Sequence, residues 1–378
     1  MARVKKEETG EKKEKSLLDQ LKEDLEKKTK GVHISILSKS EIATINTYID
    51  TPTYDLNRII SGSIFRGVPE KSFVLLAGPE ASFKSSFMAI AAGKAQKEGF
   101  TPLIIDTEGS WTQEFCERWG MNRDNALYVY TPWVDQILVM LGQIIKNESY
   151  KKLFVILDSI GGLERLKLIS DSDKGDVKAD QGTLQKDIKR MLKMLVNIAK
   201  AKSSIVFAGG HFYGNPSGYG DPEQLGGGFY LRLASDIIVV LKKYLIKDDD
   251  KNIVKVGFSA VTRKNRFYPP FNEATVEIDW QKGINAYAGL MDIALEAKLL
   301  TGGGAGWYTI PRENGEDIKF QGGWKFNEYI DETLLKDIEE YIKTTGYSSI
   351  NENVAEAEKL IEESEDYKKE KAEWQSEE

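Results

Sequence analysis

The residues best placed to do chemistry stand nine in a row: Gly78-Pro79-Glu80-Ala81-Ser82-Phe83-Lys84-Ser85-Ser86. They follow an apolar run, Phe73-Val74-Leu75-Leu76-Ala77, and lead into an apolar helical segment. A loop that opens on glycine, closes on Lys-Ser and feeds a helix is the context of a phosphate-binding P-loop. The unpaired N–H groups and positive dipole end of such a helix attract phosphate. Lys84 then meets the outer phosphates as a point charge, and Ser85 offers its hydroxyl to Mg2+. The residue before the lysine of such loops is normally glycine, and here it is Phe83. If the backbone needs a positive φ there, phenylalanine is costly. A plain strand–turn–helix with a surface lysine is the alternative reading.

Two further acids end apolar runs. Leu153-Phe154-Val155-Ile156-Leu157 closes on Asp158-Ser159. An aspartate there is where a ligand of Mg2+ sits in nucleotide-binding sheets, although it could instead cap a turn. Leu103-Ile104-Ile105 closes on Asp106-Thr107-Glu108. An acid just past a strand end lies on the ligand-binding side of such a sheet and could polarise a water for attack on a γ-phosphate. Asp106 and Glu108 both qualify.

The elements that hold these residues are short apolar runs alternating with helical stretches. To those already named are added Leu127–Tyr130 and Ser204–Ala208. Runs apolar on both faces and separated by helices predict a mostly parallel sheet covered on both sides. Ile237–Leu241 and Val254–Val261 read as a hairpin across Lys247–Asn252, with a further strand at Ala274–Trp280, so an antiparallel edge extends the sheet. Leu17, Leu18, Leu21 and Leu25 predict an amphipathic helix over Leu17–Lys28, followed by a strand-like alternation over Val32–Leu37. The helix and strand are too small to bury a core alone. Past Ile284 an α/β pattern returns, with helices near Leu290–Leu299 and Thr333–Lys343. The domains expected are an arm (1–37), a core (38–283), a small C-terminal domain (284–347) and a tail (348–378).

Composition removes several classes. The chain has 378 residues, of which 41% are hydrophobic, enough for a sizeable core. No run approaches the length of a membrane span, and Met1–Lys15 is too charged to read as a signal peptide. Cys116 cannot form an internal disulfide, and with only His33 and His211 beside it there is no Cys/His zinc site. From Asn351 onward there are eleven acids and four lysines, which accounts for the whole net charge of −7. The body is therefore neutral, and an acidic total says little against a nucleic-acid partner. The tail is either a solubilising end or an internal competitor for a basic surface.

Taken together, Gly78–Ser86, Ile105–Glu108, Leu157-Asp158-Ser159, Gly226-Gly227-Gly228, Lys264-Asn265-Arg266 and Gly283–Asp292 make the chain resemble the RecA-family recombinases. The likeness is strongest to their phage branch of UvsX type, which carries Ser-Phe-Lys-Ser where this chain has Ser82–Ser85, and it runs from about Val32 to Tyr347. It implies a RecA-like P-loop ATPase core with ATP and Mg2+ bound at Gly78–Ser86 and Asp158. It picks Glu108 as the carboxylate that positions water and Phe115 as the ring that stacks on adenine. His211 matches the γ-phosphate sensor, a place taken by glutamine in bacterial members. Lys264 and Arg266 alternate on a strand and so share a face. The resemblance sends both across a subunit boundary to a neighbour's ATP.

The resemblance also assigns two DNA loops. The first spans about 165–181, and the helix after it carries Lys186, Lys189 and Lys193 at spacings of three and four, a stripe on one face. Amides near Gln181-Gly182 add a phosphate contact. The second spans 212–229 within Gly209–Gly228, which holds eight glycines and two prolines among twenty residues. Its glycines, Gly226, Gly227 and Gly228 among them, admit phosphates to the backbone, and Phe212, Tyr213 and their aromatic neighbours can stack on bases without reading sequence. Arg232 adds charge at its end.

The expected function is ATP-dependent polymerisation on single-stranded DNA and strand exchange with homologous duplex DNA. The arm would add a strand to the next protomer. The resemblance also implies a single-strand binding protein, a recombination mediator and a cytoplasmic setting, that of a bacterial host if the chain is phage-encoded. A hexameric helicase-like motor of the same fold would instead close a six-fold ring. A regulatory nucleotide-binding module would not bind DNA.

Overall fold

The computed structural model describes residues 16–29, 32–166, 181–214, 223–225, 229–247, 253–279, 283–302, 304–312 and 315–345. The loop residues 167–180, Gly226–Gly228, Trp280 and the acidic tail lie outside the described residues. The chain divides into two units, residues 1–45 and 46–378.

In the first unit α1 spans Leu17–Lys28, the bounds that the leucine spacing predicts. The Ser16 side chain caps it by accepting from the Asp19 N–H. All four leucines of its stripe are exposed. The strand expected at Val32–Leu37 is absent: the backbone is irregular to Ile36 and turns at Leu37–Lys39. A strand needs a ladder partner for its N–H and C=O groups, and the described residues of this unit contain none.

The second unit is built on a nine-stranded sheet. A short ladder, β1 (Tyr48–Ile49) with β2 (Val68–Pro69), precedes it. Six of its strands are parallel: β3 (Phe73–Ala77), β4 (Thr101–Asp106), β5 (Leu127–Tyr130), β6 (Leu153–Asp158), β7 (Ile205–Gly210) and the start of β10 (Ile237–Lys247). Their spatial order is β10-β3-β7-β6-β4-β5. Beyond β10, an antiparallel edge is made by β11 (Ile253–Asn265), β12 (Glu273–Asp279) and β13 (Gly283–Ile284). A small hairpin, β8 (Phe212–Gly214) with β9 (Glu223–Leu225), rises after β7, so part of what reads as a glycine-rich loop is a ladder.

The apolar runs explain why the sheet is covered on both faces. On β3, Val74 and Leu76 join one apolar cluster with α2 (Tyr54–Ser61) and α3 (Lys84–Lys97). Phe73, Leu75 and Ala77 join a second with α5 (Val134–Lys146) and α6 (Gln181–Ala201). Between these helices, α4 (Gln113–Arg118) follows β4, and α7 (Phe229–Ala234) precedes β10. A third cluster gathers α8 (Leu290–Glu296), α9 (332–345) and the three-stranded sheet β14 (Thr301–Gly302), β15 (Trp307–Ile310) and β16 (Ile318–Gln321).

Phe83, the residue that breaks the glycine rule, enters α3 at φ 75°, ψ 5°. The left-handed region costs a residue with a Cβ about 1–2 kcal/mol. What offsets this is the ring, 7% exposed, stacked on Phe258 at 5.2 Å and edge-on to Trp119 at 5.6 Å. Removing a buried phenylalanine ring costs about 3–5 kcal/mol. Phe83→Gly should therefore lower stability by about 1–4 kcal/mol in urea unfolding, despite relieving the backbone. A more stable variant would show that the ring contributes nothing.

Candidate nucleotide site at the strand ends

The site lies where β3, β4, β6 and β7 end. Gly78 is required by close approach: a Cβ there would meet the Leu241 carbonyl at 2.5 Å and Ser82 Oγ at 2.6 Å. Pro79, Glu80 and Ala81 are exposed, whereas Ser82 and Lys84 are buried beneath them and Ser85 and Ser86 are half-buried. No side chain caps the N-terminus of α3, so the first-turn amides of a 14-residue helix are left for an anion. Lys84 Nζ folds back on the loop, donating to the Gly78 carbonyl (3.0 Å), the Pro79 carbonyl (2.8 Å) and Ser82 Oγ (3.3 Å). Burial pushes its pKa down, against the pull of Asp158, Glu108 and Glu80.

Asp158 ends β6 beside the loop. Its Oδ2 accepts from Ser85 Oγ at 2.5 Å and from the Trp111 indole N–H at 2.9 Å. Burial pushes its carboxyl pKa up, while these two hydrogen bonds oppose the rise. A carboxylate and a hydroxyl in contact at the mouth of a phosphate loop, with burial working against the bare anion, form a donor set that fits Mg2+.

The two acids after β4 separate by environment. Asp106 is fully buried. Its Oδ1 accepts from the amides of Glu108 (3.0 Å) and Gly109 (2.8 Å), and its Oδ2 from the Trp111 amide (3.0 Å) and the Tyr128 hydroxyl (3.1 Å). Burial first, and that hydrogen bond next, push the Tyr128 phenol up to about 12. With four donors on it, Asp106 shapes the turn. Glu108 stays half-exposed, with Oε1 accepting from Ser159 Oγ at 2.6 Å and 3.9 Å from His211 Nε2. Ser159 is itself held by Thr107, whose Oγ1 accepts from the Ser159 amide and donates to its carbonyl, each at 2.9 Å. The structure thus brings Lys84, Ser85, Glu108, Asp158 and His211 together. Sequence reasoning missed Trp111, Thr107 and Ser159 as their supports, since no spacing rule marks a second layer of hydrogen bonds. Phe115 is half-buried on α4, edge-on to Trp111 at 5.3 Å.

Lys264 and Arg266 do not join this group. Lys264 pairs with Ile238, which pairs with Leu75, and Arg266 lies one residue past the end of β11. Lys264 is level with the middle of β3 and sends its head group toward the strand's start, while Arg266 lies level with that start, away from Gly78. Phe73 to Gly78 spans about 16 Å at 3.3 Å per residue. There Lys264 Nζ donates to the carbonyls of Arg232 (2.7 Å) and Leu233 (3.3 Å) at the end of α7, and Arg266 Nη1 lies 3.2 Å from Asp236 Oδ1.

Of the residues expected to meet DNA, Lys186, Lys189 and Lys193 form an exposed stripe on α6. Lys189 and Lys193 lie over the Tyr230 ring at 5.5 and 5.9 Å. Gln181 begins α6, Gly182 is exposed, Arg232 is exposed on α7, and Phe212 and Tyr213 belong to β8. Replacing Asp106 by Asn turns one acceptor into a donor facing donors. Asp106→Asn should cost about 1–3 kcal/mol of stability, read as a lowered melting temperature; an unchanged one would remove Asp106 from its structural role.

Comparison with known proteins agrees with this geometry. The model of the RecA N-terminal domain matches residues 16–285. The chain is 25% identical over 276 residues to the recombination and repair protein of Enterobacteria phage T4, covering 71% of this chain and 70% of that protein. It is 25% identical over 306 residues to Protein RecA of Acholeplasma laidlawii (78% and 89%) and 24% identical over 334 residues to Protein RecA of Colwellia psychrerythraea (84% and 92%). With that match over most of its length, and with a phosphate loop, a carboxylate pair and a mostly parallel sheet in place, the chain belongs to the RecA family.

Proposed function

We propose that this RecA-family recombinase works as an ATP-driven polymer on single-stranded DNA, pairing the bound strand with homologous duplex DNA. The observation that carries this reading is that the head groups of Lys264 and Arg266 are held at the end of α7 and on Asp236, away from their own phosphate loop. Two cations turned away from the nucleotide site of their own chain are placed to serve that of a neighbour set head-to-tail, and repeated head-to-tail contact builds an open helix. A further support is the edge strand β5, unpaired on one side among the described residues, with Leu127, Tyr128 and Tyr130 exposed. It is a template for an added strand, and Val32–Leu37, irregular and without a ladder among the described residues of its unit, has the alternation to supply one.

In the proposed cycle the loop amides and Lys84 hold the triphosphate, with Lys84 exchanging loop carbonyls for phosphate oxygens. Ser85 and Asp158 would hold Mg2+, which would offset phosphate charge. Glu108 orients a water and takes its proton; Ser159 keeps that carboxylate near the phosphates meanwhile. Phe115 stacks on the base. His211 stands between Glu108 and the β8–β9 hairpin, so a contact with the γ-phosphate there would order the second DNA loop, and loss of that phosphate would release it. Lys186, Lys189 and Lys193 meet DNA phosphates, and the hairpin aromatics meet bases. A single-strand binding protein and a mediator would assist loading.

ATP hydrolysis measured with and without single-stranded DNA tests the reading. Strong stimulation that weakens with salt is expected, and hydrolysis indifferent to DNA would refute it. Lys264→Ala should keep ATP binding yet lose stimulated turnover, on the order of 10³-fold by analogy with other cations supplied in trans. Deleting residues 1–37 should give a monomer by sedimentation that still binds ATP; polymers surviving that deletion would dismiss the arm.

A further inference from the structure

One buried carboxylate at the start of β3 belongs to none of the roles above. Asp236 opens β10 at the residue before Ile237 and is 1% exposed. Its Oδ2 accepts from the Phe73 amide at 2.9 Å and from Lys200 Nζ at 2.7 Å. Its own amide donates to the Phe73 carbonyl at 2.8 Å, and its carbonyl accepts from the Arg266 amide at 3.1 Å. The central strand therefore clamps it from both sides. Lys200, tied to the Lys71 carbonyl as well (2.7 Å), supplies one positive charge, enough to keep the buried carboxylate from being unpaired. Its other oxygen faces a second cation, Arg266, at 3.2 Å.

That second pairing exceeds what burial requires. The Arg266 side chain is 55% exposed, so its guanidinium keeps donors free to face outward while one nitrogen is anchored. A second nitrogen lies 3.5 Å from the Leu233 carbonyl, and Lys264 Nζ donates to the same carbonyl and to that of Arg232. The end of α7 and one carboxylate thus hold both cations before any neighbour arrives. Fixing a long side chain in advance removes ordering from the reacting step.

We infer that Asp236 is a positioning residue that aims Arg266 across the subunit boundary at the neighbour's phosphates. The inference rests on the trans reading of Lys264 and Arg266. It has a further consequence for α7. The cations recruited by a neighbour's nucleotide are those that close the helix leading out of the β8–β9 hairpin, so the aim of Arg266 and the seating of that segment share one anchor.

The test uses the full-length protein with single-stranded DNA. Asp236→Asn keeps an acceptor for the Phe73 amide and removes the charge that holds Arg266. Expected are a kcat for stimulated hydrolysis lowered about tenfold, with KM and the affinity of the chain's own site for a fluorescent ATP analogue within about twofold of the parent. Arg266→Ala and the double variant should turn over at the same rate, because aim is worthless without the arginine. Copolymerising Asp236→Asn with Glu108→Gln at equal amounts should recover about a quarter of the parental rate, since one boundary in four joins an intact water-positioning site to an intact donor in a random head-to-tail array. Losses that multiply in the double variant, or a mixture no better than its components, would overturn the inference. Should Asp236→Asn not fold, Asp236→Glu takes its place, with charge retained and aim displaced by one methylene, and the same dependence on Arg266 is expected. Full activity in Arg266→Ala would sink the trans reading itself. A loss there beside full activity in Asp236→Asn would sink only the role of Asp236.

Discussion

One five-residue strand, β3, sets the terms for everything else. It is fully buried, paired on both sides, and carries the phosphate loop at one end and the Asp236 cluster at the other. A strand in mid-sheet neither bends nor shortens, so the phosphate loop and Asp236 are held about 16 Å apart. The phosphate loop, Glu108 and Asp158 gather at one end, and the head groups of Lys264 and Arg266 are held at the other. On the proposed reading, completing the site and joining two copies are the same event.

Burial decides what each charged group near the loop can do. Lys84 and Asp158 are each driven toward neutrality by the loss of water, in opposite directions of pKa. Ligands that restore water's role, a phosphate for the lysine and a cation for the aspartate, gain from that tension. Glu108, half in solvent and held by one hydroxyl, remains free to move. Two carboxylates two residues apart, Asp106 and Glu108, have opposite fates because one meets four donors and the other meets one.

Much of this was legible in the residues. The strands of the core announce themselves as apolar runs, since both faces of a parallel sheet are covered, and α1 falls on Leu17–Lys28 because its leucines keep helical spacing. The turn from β3 into α3 was readable from its glycine, lysine and serine. Less legible was whatever depends on partners distant in sequence. Val32–Leu37 alternates like a strand but lacks a ladder within its own unit. The choice between Asp106 and Glu108 turns on Tyr128 and Trp111. Asp236 carries no motif; its role emerges only when Phe73, Lys200 and Arg266 are seen around it. The hairpin within Gly209–Gly228 hides because glycine-rich composition masks a three-residue ladder.

Phe83 has a bearing on how such a loop can change over generations. Its ring fills a slot made by Phe258 on β11 and by Trp119 beyond α4, while its backbone holds a conformation that glycine takes without strain. A lineage exchanging glycine for phenylalanine here, in either direction, meets a loss at the first step: a hole if the ring leaves first, or a clash if it arrives before the slot is open. The passage is open only after neighbours such as Phe258 have changed size. The residue before Lys84 is thus a historical ratchet, locked by the antiparallel edge of the sheet.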